Sequence, residues 1–206
     1  MVINMEYKKN KIIIIIGVTF FLALTVAAYV MGYKRTKKIA VDFSIEKLET
    51  ETREPKYKVM PAALSNYICD LSAELKIDSD LVVAILMVEN PEFNPDAIHK
   101  NDNGTVDLGL FQLNDKYLWT TFKDDYWFDN VELDPFNWKH NTYIALHLMA
   151  DLHKEFKVQD DAIMAYNGGR GAVMNETIKP GTVVYLREVK NNYMLLKNCE
   201  KESESK

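Results

Sequence analysis

The stretch DLVVAILMVENP, residues 80–91, constrains the chain most. It reads as a helix buried on most of its faces, which other elements must enclose. The run places one acid, Glu89, in its last turn and is then stopped by Asn90 and Pro91. A carboxyl there lies beside the partial negative charge of the helix C-terminus, and Met87, Val88 and Phe93 would strip water from it. Both effects favour the protonated form, and a carboxyl kept neutral near pH 7 can act as a general acid. The plainer reading makes Glu89 the exposed final residue of a core helix. The rest of the chain has to decide between them.

Helical spacing recurs on both sides of this run. Leu64, Tyr67, Ile68, Leu71 and Leu75 predict a helix before it, and Ser79 or Asp80 supplies the oxygen that caps its own start. Asp-Asn-Gly at 102–104 predicts a tight turn in a small hairpin. Asp134 followed by Pro135 opens a long helix to about Phe156, with Ile144, Leu148, Leu152 and Phe156 on one face. DDAIMAYNGG predicts a short helix closed by a glycine pair suited to a left-handed cap. Thr182 opens a last helix with Tyr185, Val189 and Tyr193 on one stripe. The expected fold class is mainly α with a small β-hairpin, in a packed domain over residues 59–198 that is long enough for its own core. The tail, 199–206, is expected to be disordered.

Ahead of that domain, a short basic N-terminus, residues 1–11, precedes an uncharged run at 12–33. At about 1.5 Å per residue that run spans the roughly 30 Å hydrocarbon layer, so a transmembrane anchor is expected, with a signal sequence cut near Val26-Ala27-Ala28 as the alternative. Basic residues stand on both sides, Lys8, Lys9 and Lys11 before it and Lys34, Arg35, Lys37 and Lys38 after it, so charge does not set an orientation. Residues 34–58 read as a charged linker.

Several classes drop out. A net charge of −5 with scattered lysines gives no basic stripe, so nucleic acid is not an expected partner. Cys69 and Cys199 make neither a disulfide framework nor a CxxC pair. His99, His140, His147 and His153 fit no zinc spacing, and aligning NDNG as a calcium loop puts His99 and Leu110 where acids are needed. No phosphate-binding or dinucleotide fingerprint is present, so neither metal nor cofactor is expected. Trp119, Trp127 and Trp138, with Tyr117 and Tyr126, have rings that could stack on sugars, although such aromatics more often build core.

Four pieces then stand in order: Glu89 followed by Phe93-Asn94-Pro95 and Ala97; Gly109-Leu110-Phe111-Gln112; Ala165-Tyr166-Asn167-Gly168; and Tyr185 with Val189. In that order and spacing the chain resembles the lytic transglycosylases of lysozyme-like fold, of the soluble-transglycosylase type, over roughly residues 60–195. The resemblance implies Glu89 as the one catalytic acid, Gln112 as a sugar contact, and Tyr166 and Asn167 as cleft lining. It also implies Tyr185 beside the acid and Phe111 against the sugar face. Asn90 stands where that family has serine, and the stretch to Phe93 is one residue longer. NDNGTVDLGLFQLN is similar as well to the hairpin of animal-type lysozymes, where an aspartate at the place of Asp107 is a second carboxylate, and to transglycosylases that accompany secretion and invasion systems.

What the resemblance implies is cleavage of peptidoglycan between N-acetylmuramic acid and N-acetylglucosamine, from the extracytoplasmic (periplasmic) side of the cytoplasmic membrane, with a secretion or cell-wall complex as a possible assembly. Muramidase-type hydrolysis through Glu89 and Asp107, a non-catalytic glycan-binding scaffold, or a helical adaptor whose motif matches are accidental stay open, and Asp107 reads more readily as the cap of the turn that follows it than as a nucleophile.

Overall fold

The computed structural model describes residues 55–116 and 133–204. Helices α1 (Ala62–Leu75) and α2 (Ser79–Glu89) lead into a three-stranded antiparallel sheet, β1 (Ile98–Lys100), β2 (Val106–Leu108) and β3 (Leu113–Asn114). Then follow α3 (Trp138–Glu155), α4 (Gln159–Gly168), α5 (Arg170–Met174) and α6 (Pro180–Glu204). The mainly helical expectation holds, and the expected hairpin is the first pair of a three-stranded sheet.

Helix α2 is the centre of the core. Every residue from Asp80 to Leu86 is buried, with α6 laid along one side and α1 along another. Leu64, Tyr67, Ile68 and Leu71 of α1, Ile144 of α3 and Val189 of α6 close around it, and Trp138 meets the Tyr67 ring edge-on at 5.5 Å. Each large aliphatic side chain so buried contributes about 1.5–3 kcal/mol. At the sheet, Gly104 takes φ +80 in the turn between β1 and β2, where Asn101 N–H donates to Thr105 O at 2.9 Å.

Helix starts differ from expectation where a neighbouring polar group captures the residue expected to cap. Asp78, not Ser79 or Asp80, caps α2, accepting from the Asp80 N–H at 2.9 Å, because the Asp80 carboxylate is fully buried and held by Lys56 and Lys197. Asp134 accepts from the Phe136 N–H in a local turn, and Asn137 caps α3 three residues later. Gly169 has φ 85 but ψ 149, so α4 ends in an extended, glycine-only conformation and not in a left-handed cap. Helix α6 opens at Pro180, as suits a residue with no N–H to leave unpaired, and runs to Glu204 through the tail expected to be disordered.

The transmembrane part of the expected fold class is corrected. Among the described residues no helix is long and apolar enough to cross a membrane: α2 is apolar but has 11 residues, and α6 has 25 but carries charge along its length. The run at 12–33 lies outside the described residues. The anchor, the membrane as a partner and the single-pass placement with a periplasmic domain are therefore withdrawn.

Candidate active site

Helix α2 ends in the wall of a cleft of about 720 Å³ lined by Glu89, Asp107, Gln112, Tyr166 and Asn167. The helix stops there because Asn90 turns its side chain onto the chain ahead, accepting from Asn94 N–H at 3.1 Å and donating to Asn94 O at 2.6 Å. Glu89 is partly buried, and its Oε1 accepts the Tyr185 hydroxyl at 2.7 Å. Burial pushes its carboxyl from the ordinary 4.5 up to about 8; the Tyr185 hydrogen bond pulls the other way, and the negative charge of Asp107 adds to the rise. Near neutral pH the carboxyl is therefore protonated. Since Tyr185 donates to Oε1, Oε2 is the oxygen left to carry the proton.

Tyr185 comes from α6 and Tyr166 from α4. Burial and the Glu89 charge hold both phenols well above their ordinary range, so both are hydrogen-bond donors. The Tyr166 hydroxyl donates to Phe111 O at 2.9 Å. Asn167 accepts the Thr182 hydroxyl at 2.9 Å, which leaves its side-chain NH2 as the group for a ligand.

The Gly109–Gln112 loop is built around a residue that the motif reading missed. Asn141, fully buried on α3, donates to Leu108 O at 2.9 Å and Pro135 O at 3.1 Å and accepts from Phe111 N–H at 2.8 Å. Gly109 takes φ +76 against it, and a Cβ there would run into the Asn141 amide. Gln112, itself at φ +47, donates its side-chain NH2 to Gly109 O at 2.7 Å and so keeps Oε1 for a ligand. The signal for Asn141 was present in the sequence: it precedes Ile144 by three residues on the apolar stripe of α3, and a polar residue on such a stripe needs a partner.

Asp107 lies in β2 with its oxygens taken by amides from both sides, Asn101 at 2.9 Å and Asn114 at 2.7 Å, and it does not cap the next turn. Phe111, expected on the sugar face, is buried in the core and contributes its carbonyl instead. Trp138 is core, while Trp119, Trp127, Tyr117 and Tyr126 lie outside the described residues. Among the described residues no group of three or more His, Cys, Asp or Glu side chains is placed to hold a metal ion.

The structure thus joins a helical domain with a small sheet to a cleft that carries one carboxyl raised well above its ordinary range. Comparison with known families agrees: the transglycosylase SLT domain matches residues 66–183, more than half of the chain, and the chain belongs to that family. Similar proteins include Invasion protein IagB of Salmonella typhimurium (strain SL1344) and of Salmonella typhi. Each is 28% identical over 140 residues, covering 67% of this chain and 82% of the relative. The activity is of the lytic-transglycosylase type in general terms.

Proposed function

We propose that the chain cleaves the β-1,4 bond between N-acetylmuramic acid and N-acetylglucosamine in peptidoglycan strands and leaves a 1,6-anhydro-muramic end, with Glu89 as the only general acid and base. The observation that carries this reading is the partly buried Glu89 carboxyl, held at 2.7 Å by the Tyr185 hydroxyl in the wall of a sugar-sized cleft, a setting that favours its protonated form. Glu89 gives its Oε2 proton to the glycosidic oxygen as the bond from C1 breaks, and the N-acetylglucosamine side leaves as an alcohol. The carboxylate so formed, still hydrogen-bonded by Tyr185, takes the proton from the muramyl 6-hydroxyl as O6 closes on C1, which returns the enzyme to its starting form. No water enters, because the nucleophile is part of the same sugar and its proximity replaces activation by a second carboxylate. Gln112, Tyr166 and Asn167 line the cleft as sugar contacts, with the Gln112 Oε1 and the Asn167 amide NH2 directed to the acetamido groups and hydroxyls.

One observation favours a second reading: Asp107 shares the cleft with Glu89. As a second carboxylate it would support muramidase-type hydrolysis. The full-length protein incubated with purified sacculi separates the two by mass spectrometry. 1,6-anhydro products, each 18 mass units (about one water) below the hydrolytic ones, support the transglycosylase, and reducing ends support the hydrolase. Glu89→Gln keeps the shape without the proton and should lower turnover by about 10³-fold or more; most of the activity retained would remove Glu89 from the mechanism.

A further inference from the structure

The end of α2 and the Gly109–Gln112 loop meet at the cleft, and a series of hydrogen bonds through the connector after α2 joins them. Asn90 is buried, and its own N–H closes the last turn of α2 on Leu86 O at 2.8 Å. Its side chain grips the backbone of Asn94 by both groups, Oδ1 accepting from the N–H at 3.1 Å and Nδ2 donating to the carbonyl at 2.6 Å. The partners fix the orientation of that amide, because a backbone N–H can be met only by its oxygen. Asn94 O accepts also from Ala97 N–H at 3.3 Å, and Ala97 O accepts from Gly109 N–H at 2.9 Å and from the Gln112 side-chain NH2 at 3.4 Å. The series therefore links the residue next to the acid to the residue that meets the sugar.

Two non-glycine residues along this series are held in the left-handed region, Phe93 at φ 53 and Gln112 at φ 47. For a bulky residue such as Phe that conformation is unfavourable, and it persists only where surrounding bonds over-determine it. Phe93 N–H donates to Asn90 O at 3.0 Å, so Phe93 lies inside the ring that Asn90 closes on Asn94. A serine at position 90, as in the family pattern, would have to meet both backbone groups of Asn94 with one oxygen on a short side chain. The connector here is one residue longer, and an amide supplies separate donor and acceptor atoms at the reach it needs.

We propose that Asn90 is a positioning residue: by clamping Asn94 it locks the Gly109–Gln112 loop to the end of α2, and so fixes where the sugar lies relative to the Glu89 proton. The proposal rests on the glycan reading above and deepens it, since Asn90 does not line the cleft and acts through residues that do. Releasing the clamp lets Phe93 leave its strained conformation, and the connector then no longer holds Ala97 O against Gly109 and Gln112.

Hydrogen exchange in the full-length protein tests the linkage without turnover. In Asn90→Ala the Gly109 amide should exchange about 10-fold faster than in wild type, while the amide of Ile144, buried in α3, keeps its rate. An unchanged Gly109 rate overturns the linkage, and equal acceleration at both amides leaves Asn90 a role in stability alone and overturns the proposal too. Turnover of soluble peptidoglycan strands, at a temperature where urea unfolding shows each variant folded, tests the consequence. Asn90→Ala should lower kcat/KM by about 10-fold. Combined with Gln112→Ala it should stay within about 3-fold of Gln112→Ala alone, because the clamp acts through that residue. Fully additive losses, or wild-type turnover in Asn90→Ala, overturn the positioning role. Asn90→Ser, the milder change should Asn90→Ala not fold, is expected to show the same effects, and wild-type behaviour in it overturns the clamp. If wild type itself releases no product from the strands, the glycan reading falls, and the Gly109 exchange rate still decides whether Asn90 holds the loop.

Discussion

Replacing Glu89 by Gln isolates what it costs this fold to keep a carboxyl out of water. In the folded protein the group holds its proton up to about pH 8, whereas in the unfolded chain it releases it near the ordinary 4.5. A folded-state value above the unfolded one means that stability is fully present below about pH 4.5 and drains away as the pH rises towards 8, because only the unfolded chain gains by ionising. For a shift of this size the loss at pH 7 is about 3 kcal/mol, reduced to about 2 kcal/mol because the carboxyl is partly exposed to the cleft. Gln cannot ionise and still offers an oxygen to the Tyr185 hydroxyl, so the variant escapes this loss.

Urea unfolding of wild type and Glu89→Gln across pH 4 to 8 measures the difference directly, since every other titrating group cancels between the two. The curves should nearly coincide at pH 4, and the variant should become the more stable by about 2 kcal/mol at pH 7. A difference that stays flat across that range would mean that the carboxyl ionises as freely in the fold as in the coil. The argument for Glu89 as a proton donor at neutral pH would then fail, whatever its place in the cleft.

Two substitutions should move the alkaline limb of activity on sacculi in opposite directions. Tyr185→Phe removes a hydrogen bond that stabilises the ionised Glu89, so the limb should move to higher pH while turnover falls about 10- to 100-fold; Asp107→Asn removes a repelling charge, so the limb should move to lower pH. If Asp107→Asn also abolishes product, the hydrolytic reading gains. Asn141→Ala leaves Phe111 N–H, Leu108 O and Pro135 O unpaired and should cost about 3 kcal/mol or more in urea unfolding, whereas a loss under about 1 kcal/mol would mean that water replaces it. Gly109→Ala meets both a positive φ and the Asn141 amide, and a similar loss is expected by the same assay.

The helices were legible because their apolar periodicity is local: α1, α2 and the Tyr185–Val189 stripe of α6 lie where spacing puts them. The same spacing placed Glu89 at a helix end, and the order of the four motifs, a resemblance and not a periodicity, put Glu89, Gln112, Tyr166 and Tyr185 into one region. What spacing could not supply is which polar atom takes which partner. Asp134 and Asn137 are both good caps, and only the tertiary position of the chain gives the helix to Asn137. The resemblance puts Phe111 against the sugar face, yet the loop is drawn inward by Asn141 and the ring is buried in the core. The uncharged run at 12–33 reads as an anchor from its length and hydropathy alone; it lies outside the described residues, among which no helix is long and apolar enough to span a membrane.

The dead end that makes α2 unusual as a sequence also explains how its acid is aimed. Helices α2 and α6 pack along each other and are joined by polar groups at both ends. At the start of α2, Asp78 accepts from Tyr193 at 2.7 Å, and the buried Asp80 is held by Lys197, by Lys56 at 2.9 Å and by the Tyr57 hydroxyl at 2.6 Å. At its end Glu89 is held by Tyr185. Between them the contact is apolar, through residues such as Val189 that are fully buried. Sliding one helix past the other by even one residue, about 1.5 Å, would break the joints at both ends together, so the Glu89–Tyr185 distance is set by a packed helix pair and not by a loop. A proton donor has to be placed to within a fraction of an ångström of the oxygen it serves. A carboxyl at the last turn of the most buried helix, with a partner fixed from the helix beside it, meets that demand while its Oε2 stays open to the cleft.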